Sequence, residues 1–235
     1  MTQIHHIPEQ RVEGKPLGRH IQHDPKSRKF AANRATKLYT VSHTSVGLPL
    51  NQGKIGSCTG NALCGALNSE PNHKTGGKIY REKDAVQVYE WETAAEGQPY
   101  PPNDPGGTGL MVCKVAKQHF WISGYHHAFG IQHALEALVL RPVITGVSWY
   151  DSFDQPDKHG MVSIAEYAQV RGGHEFVVDQ LVVPDGATAD DLDDIIIWPV
   201  NSWGKPFGLN GRFGMTAATW NTLLQDRGDV TVPIA

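Results

Sequence analysis

Cys58 stands six residues after Gln52 in the stretch NQGKIGSCTGNALCGAL, where a glycine-rich turn gives way to helical spacing. A free cysteine is most often a small buried apolar residue, so its type alone assigns no chemistry. Thiol catalysis requires a lowered thiol pKa, a base, a group that orients the base, and donors for an oxyanion. The first turn of a helix meets the first need, because its partial positive charge favours thiolate. Gln52, with Gly53 and Gly56 between to fold the loop back, aims an amide N–H where an oxyanion would form, and the Cys58 backbone N–H is the second donor. Downstream, RGGHEFVVDQL sets His174 at the mouth of a strand, and VNSWGKPFGLNGRFGM sets Asn201 at the end of another, beside Trp203. A lone histidine there is usually structural, and a lone asparagine usually caps a turn. Each signal alone is weak, but their order and local contexts taken together are much harder to ascribe to accident. Cys58 is then expected to react at pH 6 ahead of Cys64 and Cys113.

These residues need elements to hold them. Ser57 is the expected N-cap of a helix in which Ala62, Leu63, Ala66 and Leu67 recur at helical spacing. Gly60 and Gly65 within it imply neighbours that approach its backbone closely. KDAVQVYEWETAAE, LMVCKVAKQHF and IQHALEALVL read as further helices, and KLYTVSH as a short strand. From Arg141 the texture changes to β-branched runs, PVITGVSW, EFVVDQLVV, DIIIWPVNSW and GRFGM. The expected fold is α+β in two lobes with a cleft between them, a helical lobe over about 37–140 and a β-rich lobe over about 141–235.

Residues 1–36 read as an arm. Pro8, Pro16 and Pro25 interrupt it, and no apolar periodicity builds a helical domain. Its Arg11, Lys15, Arg19, Lys26, Arg28 and Lys29 suit a solvated face or an acidic partner. The arm is expected on the outer surface or mobile, leaving the full-length chain active without self-cleavage.

The 235 residues, 40% of them hydrophobic, suffice for one domain or two closely packed lobes. A net charge of −3 offers no basic footprint and argues against nucleic acid as a partner. Three cysteines cannot all pair, which argues against a disulfide framework. The N-terminus resembles no signal peptide and no apolar run would span a bilayer, so the expectation is a cytoplasmic protein without a membrane partner. His126, His127 and His133 match no zinc spacing, and neither metal nor cofactor is expected. The aspartates of VPDGATADDLDDII read as solvated surface.

NQGKIGSC, GGHEF and NSWGKPFGLNG resemble the three active-site blocks of papain-family cysteine peptidases, over about Val41 to Met215. The resemblance implies a two-lobed papain-like fold and a peptide-bond hydrolase acting on protein or peptide substrates. It implies Cys58 as nucleophile, His174 as base, Asn201 orienting that ring, Gln52 completing the oxyanion hole, and Trp203 shielding the Asn201–His174 bond from water. DPGGTG resembles the glycine pair that binds substrate backbone, making Gly106 and Gly107, with Gly173 and Trp203, substrate-binding residues. The sequence departs from the family at Thr59, where a bulky aromatic is usual, and at Ile55, where the usual disulfide cysteine is missing. The short arm and the SCTGNA variant are similar to the compact bacterial or bacteriophage branch, which would place the protein in a host cytoplasm or a virion. Two further readings stay open: a phage-type hydrolase of cell-wall peptide, and a non-catalytic virion or scaffold protein retaining the fold.

Overall fold

The computed structural model describes residues 2–235. Three helices, α1 (Cys58–Leu67), α2 (Glu82–Ala95) and α3 (Gly109–Gln118), form the first lobe. All ten residues of α1 are buried. Its glycines explain how: a Cβ on Gly60 would meet the Ala85 carbonyl oxygen at 2.3 Å, and one on Gly65 would meet Val177 Cγ1 at 2.7 Å. The helix is thus clamped between α2 and the sheet. Ser57 sits at the N-cap position, but its hydroxyl caps no backbone N–H. It accepts instead from the Asn61 amide at 3.2 Å.

The second lobe is an antiparallel sheet of β2 (Gly124–Ala128), β7 (Asp229–Ile234), β3 (Val143–Tyr150), β4 (Val170–Val182), β5 (Ile196–Val200) and β6 (Met215–Thr216), hydrogen-bonded in that order. The short β1 (Val41–Ser42) pairs with the far end of β4. Strand β4 is the spine, with His174 opposite Val147 of β3. Helices α4 (Gly130–Leu140) and α5 (Ala217–Gln225) pack on this sheet. Trp149, Phe176, Phe213 and Trp220 share one core with Leu135 and Leu138 of α4. Burying each such side chain stabilises the fold by roughly 1.5–3 kcal/mol. A second core joins Leu63, Leu67, Val88 and Val112 to Ile144 and Val177 of the sheet.

The mixed helix-and-sheet class agrees with the expectation, but the partition of the chain differs. α4 belongs to the sheet's core, and β2 is a sheet strand paired with β7. The lobes therefore divide before β2 rather than near Arg141. GYHHA has no marked alternation, and its strand state comes from pairing with a segment over a hundred residues away. GRFGM contributes only its last residue to β6, and KLYTVSH only two residues to β1. Among the described residues no helix is long and apolar enough to cross a membrane.

Candidate active site

Packing α1 on β4 carries Cys58, at the first position of the helix, against the strand that bears His174. Backbone groups at Glu175 and Thr59 lie beside the thiol and favour its charged form. Asn201 follows β5, which is hydrogen-bonded to β4. Its backbone N–H donates to the Gly211 carbonyl at 2.9 Å. That hairpin is held in turn by Arg212, whose guanidinium forks onto the buried Asp179 of β4 at 2.6 and 2.9 Å.

The tautomer of His174 follows from this geometry. Asn201 Oδ1 accepts the Ser202 backbone N–H at 2.8 Å, which identifies it as the amide oxygen. His174 Nε2 lies 2.7 Å from the same atom and must donate to it. In the neutral ring, Nδ1 is then an unprotonated base, buried and without a hydrogen-bond partner. Trp203 stacks on the ring at 5.1 Å and 29°, and Trp149 meets it edge-on at 4.9 Å. Gln52 is buried nearby. Its Oε1 accepts from the Ser202 hydroxyl at 2.5 Å, and its Nε2 donates one hydrogen to the Ile55 carbonyl at 2.8 Å, leaving one N–H uncommitted.

Cys58 and His174 are both fully buried, which penalises their charged forms. The Cys58 thiol is pushed well above its ordinary pKa, first by burial and then by the neighbouring Glu175 charge. Burial drives His174 down to about 3; the Asn201 hydrogen bond opposes this and Arg171 adds to it. Both shifts favour the neutral thiol and the neutral imidazole, and so oppose the thiolate expected at pH 6. Cys58 is as buried as Cys64 and Cys113, and all three are free, with no Cys64–Cys113 bridge.

The arm lies beside this pair, and here the expectation of an outer-surface or mobile arm is overturned. Residues 16–20 lie across the cleft rather than on the outer surface. Gly18 and Arg19 N–H groups both donate to the Gly173 carbonyl, at 3.1 and 3.0 Å, and the His20 N–H donates to the Gly107 carbonyl at 2.7 Å. The Gly107 N–H returns a bond to the Gly18 carbonyl at 2.7 Å. Gly106, at φ +83°, turns the wall so closely that a Cβ there would lie 2.2 Å from the Gly18 carbonyl oxygen. Trp203 Nε1 donates to the Pro16 carbonyl at 3.0 Å. Thus Gly106, Gly107, Gly173 and Trp203 all face the chain's own backbone.

The rest of the arm is anchored too. Arg171 donates to the carbonyls of Gln10 and Lys15 at 2.9 and 3.0 Å, and Leu17 and Ile21 are buried. Of the arm's basic residues, Arg19 is fully buried and ion-paired to Asp229, while Lys15 donates to the Asp154 carbonyl at 2.7 Å. For Arg19 the acidic partner is this chain itself. Sequence reasoning missed Ser202, Trp149, Glu175 and Asp229. A carboxylate between His174 and the apolar run FVV was the available signal for Glu175.

Comparison with solved structures places this architecture. Xylellain, a cysteine protease from Xylella fastidiosa, superposes with a TM-score of 0.75 at 21% identity, over 97% of this chain and 99% of that one. Procathepsin B from Trypanosoma congolense gives a TM-score of 0.61 at 10% identity, over 94% and 88%. A cysteine protease from Carica candamarcensis gives 0.55 at 15% identity, over 81% and 93%. No protein-family model matches the sequence, and no curated protein matches it. The chain has the papain-like cysteine protease fold.

Proposed function

We propose that the protein is a cysteine-type endopeptidase whose arm must leave the cleft before substrate enters. The observation that carries this reading is the free, unprotonated Nδ1 of His174, fixed by Asn201 on the strand against which the Cys58 thiol packs. With the arm displaced, water reaches both groups and the burial penalty on their charges falls. The thiol proton then passes to Nδ1, and the N-terminus of α1 stabilises the thiolate.

Cys58 sulfur attacks the peptide carbonyl carbon, and the oxyanion takes the Cys58 backbone N–H and the uncommitted Gln52 N–H. His174 gives its Nδ1 proton to the amide nitrogen as the C–N bond breaks. Water then surrenders a proton to Nδ1 and its oxygen attacks the thioester. The C–S bond breaks, releasing the carboxylic acid and restoring the pair. Trp203, stacked on the imidazole, keeps water from the His174–Asn201 hydrogen bond. The main-chain pairing of the arm with Gly107 and Gly173 supports a polypeptide as the substrate.

The test uses the full-length chain carrying Gly18→Ala, which cannot seat its arm. A Cβ there would lie 2.0 Å from the Gly56 carbonyl oxygen. Cleavage of unfolded protein substrates is expected from this variant, falling to background when Cys58→Ser or His174→Ala is added. Cleavage that survives Cys58→Ser, or none from Gly18→Ala while an irreversible thiol-directed peptide inhibitor still labels Cys58, would refute the reading.

A further inference from the structure

Beneath the cleft, the Arg19 side chain enters a closed pocket built from distant parts of the chain. Its Nη2 donates to Asp229 Oδ1 and to the Arg227 carbonyl, the latter at 2.9 Å. Opposite stands Glu175, fully buried, with neither carboxylate oxygen hydrogen-bonded. The floor is glycine. A Cβ on Gly146 would lie 2.5 Å from Arg19 Nε, 2.6 Å from Glu175 Oε2 and 3.0 Å from Asp229 Oδ1. One on Gly109 would lie 2.4 Å from Glu175 Oε1 and 3.1 Å from Asp229 Oδ2. Two carboxyl groups and a guanidinium thus converge on a space that any larger floor residue would fill.

The pocket opens onto the catalytic slot. Arg19 is seated by main-chain bonds at Gly173, next to His174, and its neighbour Gly18 abuts Gly56, two residues before Cys58. When the arm departs it takes away the pocket's cation and leaves both carboxyl groups facing the cleft without a partner. Two carboxyl groups side by side at the cleft make a concentrated acidic pocket, which favours a replacement cation.

We propose that this pocket sets substrate choice: the peptidase takes polypeptides with arginine, and less well lysine, at one fixed position beside the cleaved bond, and the arm's Arg19 occupies the pocket in the substrate's stead. Glu175 and Asp229 are the specificity-determining residues. The guanidinium suits the pocket better than an ammonium because its Nη2 serves Asp229 and the Arg227 carbonyl while Nε and Nη1 stay free as further donors beside the unpaired Glu175. This inference rests on the peptidase reading above.

The experiment offers full-length Gly18→Ala a mixture of peptides of random sequence and reads the cleaved bonds by mass spectrometry. Arginine should be enriched at one position beside the cut by about tenfold or more over leucine, with glutamate depleted, as a site built around buried polar groups discriminates. Adding Glu175→Gln with Asp229→Asn should bring the enrichment towards one. Gly146→Ala, which keeps both carboxyl groups but fills the space, should do the same and guards against misfolding of the double variant. Cleavage by Gly18→Ala with no basic preference would overturn the pocket assignment and leave Arg19 as a latch alone. An arginine preference undiminished in every pocket variant that cleaves would overturn the roles of Glu175 and Asp229. Absence of any cleavage while the thiol-directed inhibitor still labels Cys58 would overturn the peptidase reading, and the specificity with it.

Discussion

Replacing Gly18 by alanine should unlock the arm while leaving the two lobes folded. The added Cβ would sit 2.0 Å from the Gly56 carbonyl oxygen, 2.6 Å from its carbon and 2.8 Å from Gly56 Cα, all main-chain atoms that cannot step aside. Seating residues 18–20 makes four main-chain hydrogen bonds to Gly107 and Gly173. At about 1 kcal/mol net apiece, the seat is worth about 4 kcal/mol before Leu17 and Arg19 are counted. Losing it raises the open fraction by about three powers of ten. Cys58 alkylation reads that fraction, because the thiol reacts only when uncovered. The assay follows iodoacetamide labelling of native protein at pH 7, with peptide mapping of each cysteine. Wild type should label slowly at all three thiols. Gly18→Ala should label Cys58 about a thousandfold faster, with Cys64 and Cys113 as slow as before. Those two lie in the cores and report global opening. An unchanged Cys58 rate would refute the seating argument, and equal acceleration at all three would show that the variant merely unfolds.

Gln52→Ala, in the Gly18→Ala background, should lower kcat by roughly 10²–10³ with Cys58 labelling retained, since it removes one oxyanion donor and not the helix terminus; labelling lost with turnover kept would reverse the roles. His127 is held neutral, its pKa driven down to about 4 chiefly by burial. The unfolded chain takes up that proton below its ordinary pKa of about 6.5, so wild type should lose about 1.4 kcal/mol more per pH unit than His127→Gln as pH falls from about 6.5 towards 4. Urea melts at several pH values measure this, and parallel curves would count against it. Arg212→Met strands Asp179, which is fully buried, and should cost about 3–5 kcal/mol in the same melts. It should also slow turnover, because the Gly211 carbonyl that positions Asn201 loses its support.

Local patterns carried much of the architecture. The apolar spacing of α1 to α4 and the β-branched runs of β3 to β5 were legible because each element's period is written in its own residues. Gly60 and Gly65 announced a helix approached on both sides, and the blocks around Gln52, Cys58, His174 and Asn201 named the residues to look at. The same reading could not see β2, β7 or α5. Their state is decided by pairing and burial against segments far along the chain, with weak periodicity of their own.

The arm shows the limit most plainly. Its prolines and lack of periodicity correctly exclude a helical domain, yet an extended segment needs none: its order comes from the cleft walls, which donate and accept its main-chain hydrogen bonds. Nothing local in GRHIQH marks Gly18 as the residue that must fit against Gly56, or Arg19 as the partner of Asp229. Ionisation belongs to the same class. The helix N-terminus favours a Cys58 thiolate, as its position in the sequence implies, but the folded chain buries sulfur and imidazole alike. Desolvation then opposes the dipole. Residue types and short-range spacing decide which groups are available for chemistry, whereas their charge state and what fills their cleft depend on contacts that only folding brings together.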